Sequence, residues 1–131
     1  MYSKLNEETF KDRGFGFMMK SVKKLFFNLK NSINGLREAQ KEHSFLLELF
    51  FGMLLIPFLI ISEIEIIFKL LIASTYFFLL ALELINTAIE KISDKINKDF
   101  DLEIKKIKDL SSAAVFIIFL FLIILIIISV N

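Results

Sequence analysis

Four side chains capable of acid–base or metal chemistry recur within one short stretch, Leu82-Glu83-Leu84-Ile85-Asn86-Thr87-Ala88-Ile89-Glu90-Lys91-Ile92-Ser93-Asp94. In a helix advancing about 100° per residue, Glu83 and Glu90 are roughly 700° apart, within about 20° of one direction. Asp94 lands near the same line and Asn86 about 60° from it. One face thus carries a column of acid, amide, acid and acid, with roughly 10 Å of helix axis between Glu83 and Glu90. Carboxylates so spaced can take a proton from a hydroxyl or hold a hard cation through oxygen. Glu83 also follows thirteen residues of which eleven are apolar. An ionic group inside such a segment costs on the order of 2.5 to 3.5 kcal/mol on insertion scales, so it is a functional candidate by default. The alternative is that Glu83 is solvated near the inner interface while Glu90 and Asp94 lie beyond the membrane.

Two further groups fall at the same boundary. Glu38, Glu42 and Glu48 lie where an amphipathic segment turns into the first apolar block. Lys105-Lys106-Ile107-Lys108-Asp109 precedes the small residues Ser111, Ser112, Ala113 and Ala114. Carboxylates from two helices and lysines from a third, at one depth, suit Mg²⁺–phosphate chemistry: oxygen ligands hold the cation and a lysine neutralises transferring charge. The blander readings are close helix approach at the small residues and a solvated flank at Lys108 and Asp109. No Walker sequence, protein-kinase glycine loop or Ser-His-Asp set is present. The residues alone thus reach a polar site at the inner leaflet and leave its reaction open.

The elements that must position these groups follow from hydropathy. The chain has 131 residues, 56% hydrophobic and 24% charged, with net charge +1 and mean hydropathy +0.66. Ile and Leu crowd into three blocks that exclude all but one of the 16 Lys and Arg, the pattern of a small polytopic membrane protein. The fold class expected is an all-α membrane protein: an amphipathic N-terminal surface helix over about 17–41 and spans over about 45–61, 66–89 and 113–130. Residues 17–131 form one domain. Residues 1–16 form a flexible polar lead whose Gly14-Phe15-Gly16 lacks the preceding strand of a nucleotide-binding turn. Nothing ahead of Phe45 has the apolar run and cleavage site of a signal peptide, so a retained amino terminus is expected. Met18, Val22, Leu25, Leu29, Ile33 and Leu36 recur at helical spacing with Lys20, Lys23, Lys24, Lys30 and Arg37 elsewhere, as in a helix lying flat in the headgroup layer. Nine Lys or Arg precede the first span, none lies in Ser62-Glu63-Ile64-Glu65, and six lie in 91–108. The positive-inside rule then puts the amino terminus and the 91–109 loop in the cytoplasm and the carboxyl terminus outside. Lys69, beyond the outer loop, is expected to snorkel to the headgroups.

Composition also excludes. With no Cys and one His, disulfides, thiolate metal sites, cysteine nucleophiles and a multi-histidine metal site within one chain are ruled out. The near-neutral charge and the lack of a basic, aromatic-interleaved stripe give no nucleic-acid signal.

From about Lys20 to Asn131 these residues resemble the prokaryotic integral-membrane diacylglycerol kinase family, which includes undecaprenol kinases. Glu83-Leu84-Ile85-Asn86-Thr87-Ala88-Ile89-Glu90 is similar to the family's Glu-x-x-Asn-(Ser/Thr)-Ala-Ile-Glu signature. Lys108-Asp109-Leu110-Ser111-Ser112-Ala113-Ala114-Val115 resembles its Lys-Asp-x-(Gly/Ala)-(Ser/Ala)-Ala-Ala-Val. The resemblance implies transfer of the γ-phosphoryl of ATP, with Mg²⁺, to the hydroxyl of diacylglycerol at the cytoplasmic leaflet of the inner membrane, by a homotrimer with shared sites. It implies Glu83 as general base and Asn86 as orienting group, Glu42 and Glu90 as metal and ATP ligands, and Lys24, Lys108 and Asp109 on ATP. Glu83 and Ser112 would contact the lipid.

Three departures bear on this. Ser44-Phe45-Leu46-Leu47-Glu48 stands where the diacylglycerol type has an Ala-Phe-Arg-Gln-Glu-like run. Phe100-Asp101 replaces an aromatic-His pair, which bears on adenine contacts. The spacing from Gly35 to Glu42 is one residue short, so Glu38 competes with Glu42 as metal ligand. His43 stands beside Glu42 as an interfacial histidine. The competing readings are an undecaprenol kinase, a silent membrane scaffold, and an ion or proton carrier using its intramembrane carboxylates.

Overall fold

Long runs of Ile, Leu and Phe, broken only by short polar connections, leave the backbone one way to satisfy its hydrogen bonds in hydrocarbon, which is the helix. The computed structural model describes the backbone of residues 2–97 and 99–130, and the side chains of residues 17–97 and 99–130. Its elements are four helices: α1 Tyr2–Ala39, α2 His43–Ile61, α3 Ile66–Ile96 and α4 Leu102–Ser129. The last three are long and apolar enough to cross a membrane, with mean hydropathies of 2.4, 1.9 and 3.2 over their most apolar windows. The chain is therefore an all-helical, multi-pass membrane protein.

Residues 1–38 form one unit and 39–131 another. In the first, the apolar stripe from Met18 to Leu36 is exposed along the helix, as a face meant for acyl chains would be. The lead expected over residues 1–16 coincides with α1 from Tyr2 onward, and its side chains lie outside the described residues.

In the second unit α3 is central. It packs more extensively against α4 than against α2, through a core of Ile72, Leu79, Leu122 and Leu125 flanked by Leu55, Leu59, Tyr76 and Phe119. Only 11%, 22% and 11% of the three apolar windows are buried, so most of this surface faces outward, toward lipid or other chains. Pro57 inside α2 cannot donate to the preceding turn, which spanning helices tolerate. Lys69, in the first turn of α3, donates to the Ser62 carbonyl at 2.7 Å, which ties α3 back to the end of α2.

α3 and α4 outrun the predicted spans where one leads into the other. α3 continues through Glu90-Lys91-Ile92-Ser93-Asp94 to Ile96, because hydropathy marks the membrane and not the helix. α4 starts eleven residues before Ala113 because Asp101 caps it, accepting from the Glu103 and Ile104 amides at 2.8 and 3.2 Å.

Candidate active site

Because α3 stays helical past the apolar run, Glu83, Asn86 and Glu90 share a face, and that face turns toward the rest of the bundle. Glu83 is 3% exposed, and Asn86, Thr87 and Ser93 are also buried. The Asn86 side-chain amide donates to Glu90 Oε1 at 3.3 Å, one turn on. Its carbonyl oxygen accepts from the Ser111 hydroxyl on α4 at 2.6 Å. The amide is thus held at both ends, which orients Glu90 and ties α3 to α4 at this level. Further along, Asp94 pairs with Lys108 of α4 at 2.9 Å. Lys108 lies ahead of the apolar part of α4. Its hydrogen bond to Asp94 holds it above the usual lysine range against partial desolvation, with the charges of Asp94 and Glu90 adding to the effect.

Glu83 differs from these. Among the described residues its Oε1 is buried with no hydrogen-bond partner, and so is Oε2 of Glu48 on α2. An unpartnered buried carboxylate oxygen is costly, and sites where that cost persists are expected to be functional. Glu48 also lines a cavity of about 170 Å³ between the helices, walled by Phe51, Leu55, Tyr76, Leu79 and Phe119 among others.

At the N-terminus of α2, Glu42 occupies the cap position but makes no capping hydrogen bond. Its carboxylate instead pairs with Lys91 at 2.8 Å, next in sequence to Glu90, so the turn carrying Glu42 lies against the turn carrying Glu90. Lys108 and Asp109 border an open cleft of about 500 Å³ with Asp94, Asn97, Asp99, Phe100 and Asp101. Asp109 itself is paired with Lys105 one turn back, at 2.8 Å.

Not every expected residue joins this arrangement. Ser112 is on an exposed face of α4, and its neighbour Ser111 makes the contact with Asn86. Lys24 is exposed on α1, in the other unit. His43 opens α2 and is exposed. No group of three His, Asp or Glu able to hold a metal occurs among the described residues. Ser111 is the addition, since in the sequence it stands only as one of four small residues three positions past Lys108. Glu48, grouped there with Glu38 and Glu42, is the member of that group with a buried, unpartnered oxygen.

The sequence profile of prokaryotic diacylglycerol kinase matches residues 30–130. The chain belongs to the prokaryotic diacylglycerol kinase family. A protein of Haemophilus influenzae named diacylglycerol kinase is 39% identical over 97 residues, covering 71% of this chain and 80% of that protein. The column on α3 and its partners on α2 and α4 all fall within the matched stretch. This member of the diacylglycerol kinase family is therefore an enzyme, a membrane-embedded kinase of the lipid type.

Proposed function

We propose that this chain transfers the γ-phosphoryl of ATP to the free hydroxyl of diacylglycerol, giving phosphatidic acid and ADP at the cytoplasmic leaflet. The observation that carries the reading is the buried, unpartnered Glu83 oxygen, one turn from an amide pinned between Glu90 and Ser111. In the reaction the Glu83 carboxylate takes the proton of the lipid hydroxyl as that oxygen bonds to phosphorus and the bond from phosphorus to the ADP oxygen breaks. Asn86 orients the site, and Lys108 offsets charge on the phosphates. Asp109 helps shape the ATP cleft, and Ser112 contacts the lipid.

The residues fit a divalent cation arriving with ATP. Mg²⁺ commonly takes only one or two protein carboxylates and completes its shell with phosphate oxygens and water, so a three-acid cluster is not required. Glu90 and Glu42 would hold it, the second supported over Glu38 by its ion pair beside Glu90. When bound, the cation would offset the negative charge of the phosphates during transfer.

Charge asymmetry supports a prokaryotic inner-membrane location with the amino terminus and the 97–101 connection in the cytoplasm. The broad apolar surface left outside one chain supports a homotrimer. Single cysteines added to this cysteine-free chain, labelled from either side of the membrane, test the orientation, and sedimentation in detergent tests the trimer.

The reaction is tested by transfer of labelled γ-phosphate from Mg-ATP by purified protein in mixed micelles, with diacylglycerol and undecaprenol offered side by side. Undecaprenol is included because Leu46 and Leu47 present exposed apolar side chains where polar headgroup contacts are expected. Labelled phosphatidic acid is the expected product. Labelled undecaprenyl phosphate moves the acceptor and keeps the mechanism, and no labelled lipid from folded protein refutes the reading. Glu90→Gln should raise the KM for Mg-ATP, whereas Glu83→Gln should not.

A further inference from the structure

The carboxylates of the site come from helices that do not follow one another at the inner surface, and something must fix α2 against α3. One specific contact between them lies further into the apolar run than the acids. Gly52 is buried on α2, and the ring of Tyr76 from α3 occupies the space that a side chain there would fill. A Cβ at this position would overlap the phenol oxygen and the ring carbon that bears it. Seated in this notch, the Tyr76 hydroxyl donates to the main-chain carbonyl of Glu48 at 3.0 Å. That is the carbonyl one turn before Gly52, so the phenol grips the very turn that carries Glu48.

The consequence runs toward the site. Side chains on a helix lean toward its N-terminus. On α2 that lean carries the Glu48 carboxylate away from the notch, in the direction in which α3 proceeds from Tyr76 to Glu83. Tyr76 and Glu83 are seven residues apart, so they lie within about 20° of one another on α3. One face of α3 therefore holds the grip and, two turns on, the Glu83 carboxylate. The same helix rotation delivers Glu42 to Lys91.

We propose that Gly52 and Tyr76 form a positioning clamp that sets the carboxylates of α2 against those of α3. This rests on the lipid-kinase reading for its catalytic consequence, and on geometry alone for the helix spacing. Neither residue touches the reacting atoms. Gly52→Ala forces the phenol out of its notch and moves α2 away from α3 at the depth of Glu48 and Glu83. A displacement near 1 Å at reacting groups costs on the order of 100-fold in rate at its largest, so a loss in kcat of roughly 10-fold or more is expected. The KM for Mg-ATP, whose ligands lie further along both helices, should stay within about twofold.

The test uses the full chain in mixed micelles, with four variants: Gly52→Ala, Tyr76→Leu, the pair combined, and Tyr76→Phe. Kinetics are read per folded enzyme. Spacing is read by pulsed electron paramagnetic resonance between spin labels at Leu54→Cys and Phe78→Cys, exposed positions on α2 and α3 in a chain without native cysteine. Labelled chains are diluted with unlabelled ones so that only distances within one chain are read. Gly52→Ala should lengthen the distance and lower kcat, and adding Tyr76→Leu, which removes the overlapping atoms, should restore both most of the way. Tyr76→Phe keeps the ring and loses the donor, so it should lower kcat several-fold with little change in folded yield.

Unchanged kcat and spacing in Gly52→Ala overturn the clamp, and so does a double variant worse than the sum of its parts. A changed spacing with unchanged kcat overturns its catalytic role. If the unmutated chain phosphorylates no lipid, the lipid-kinase reading fails, and the spacing measurements alone then decide whether Gly52 and Tyr76 set the helices.

Discussion

The two halves of α3 face the same neighbours with opposite chemistry. From Ile72 to Leu79 the helix meets α4 through fully apolar contacts, Ile72 being 0% exposed. From Glu83 to Asp94 it meets α4 through an amide–hydroxyl bridge and an ion pair. Toward α4 the apolar half leaves the register weakly set, since lipid tails are as apolar as its partners there. The polar half cannot slide along α4 without breaking directional bonds, so register there is set by Ser111 and Lys108. Apolar packing holds the bundle together and the polar rungs say where each group stands.

Several substitutions would break or sharpen that contrast. Glu83→Gln should lower kcat by about 100- to 10,000-fold, the usual worth of a general base, while thermal unfolding in detergent stays as in the parent. Ile72→Ala should do the reverse. It opens a cavity in the apolar half costing about 2 kcal/mol or more, seen as a lower unfolding midpoint, with kcat at low temperature kept within a fewfold. Ser111→Ala belongs to both: it leaves the Asn86 carbonyl buried without its α4 donor, at about 1–3 kcal/mol. Activity should fall about tenfold and Ser111→Thr should recover part of it. The smallest effect is expected from Asp94→Asn, which removes an exposed pair and should change rate and stability about twofold at neutral pH.

The pH dependence of that pair has a definite sign. Asp94 raises the folded-state value of Lys108. The stabilisation is therefore complete below the usual lysine range and is lost as pH climbs through the raised value. Alkaline unfolding followed by circular dichroism should start at lower pH in Asp94→Asn. An identical onset in the two proteins would sink the assignment.

Much of this architecture can be read from residue order. The three apolar blocks predict the three membrane helices, and the hundred-degree rule alone puts Glu83, Asn86 and Glu90 on one face. What escapes is whatever depends on how one helix crosses another. Ser111 reads as a merely small residue until α4 is laid on α3, when it rather than Ser112 meets the amide. Tyr76 and Gly52 lie 24 positions apart, and nothing local in either stretch announces that one fills the space the other leaves. The inner ends of α3 and α4 escape for another reason. Hydropathy reports solvent, whereas Asp101 and the helix-forming residues after Glu90 decide where the backbone stops turning.

Only five residues separate the end of α3 from the start of α4, and Asp101 caps α4, so the two helices form a hairpin. Glu83, Asn86, Glu90, Asp94, Lys108 and Ser111 all lie on that hairpin, within 29 consecutive residues. Contacts between stretches so near in sequence need little loop closure and form early. During biogenesis, then, the last two spans can assemble nearly all the polar machinery as one nascent unit. The first span, made before them, has only to wait in the bilayer until Tyr76 arrives to be gripped.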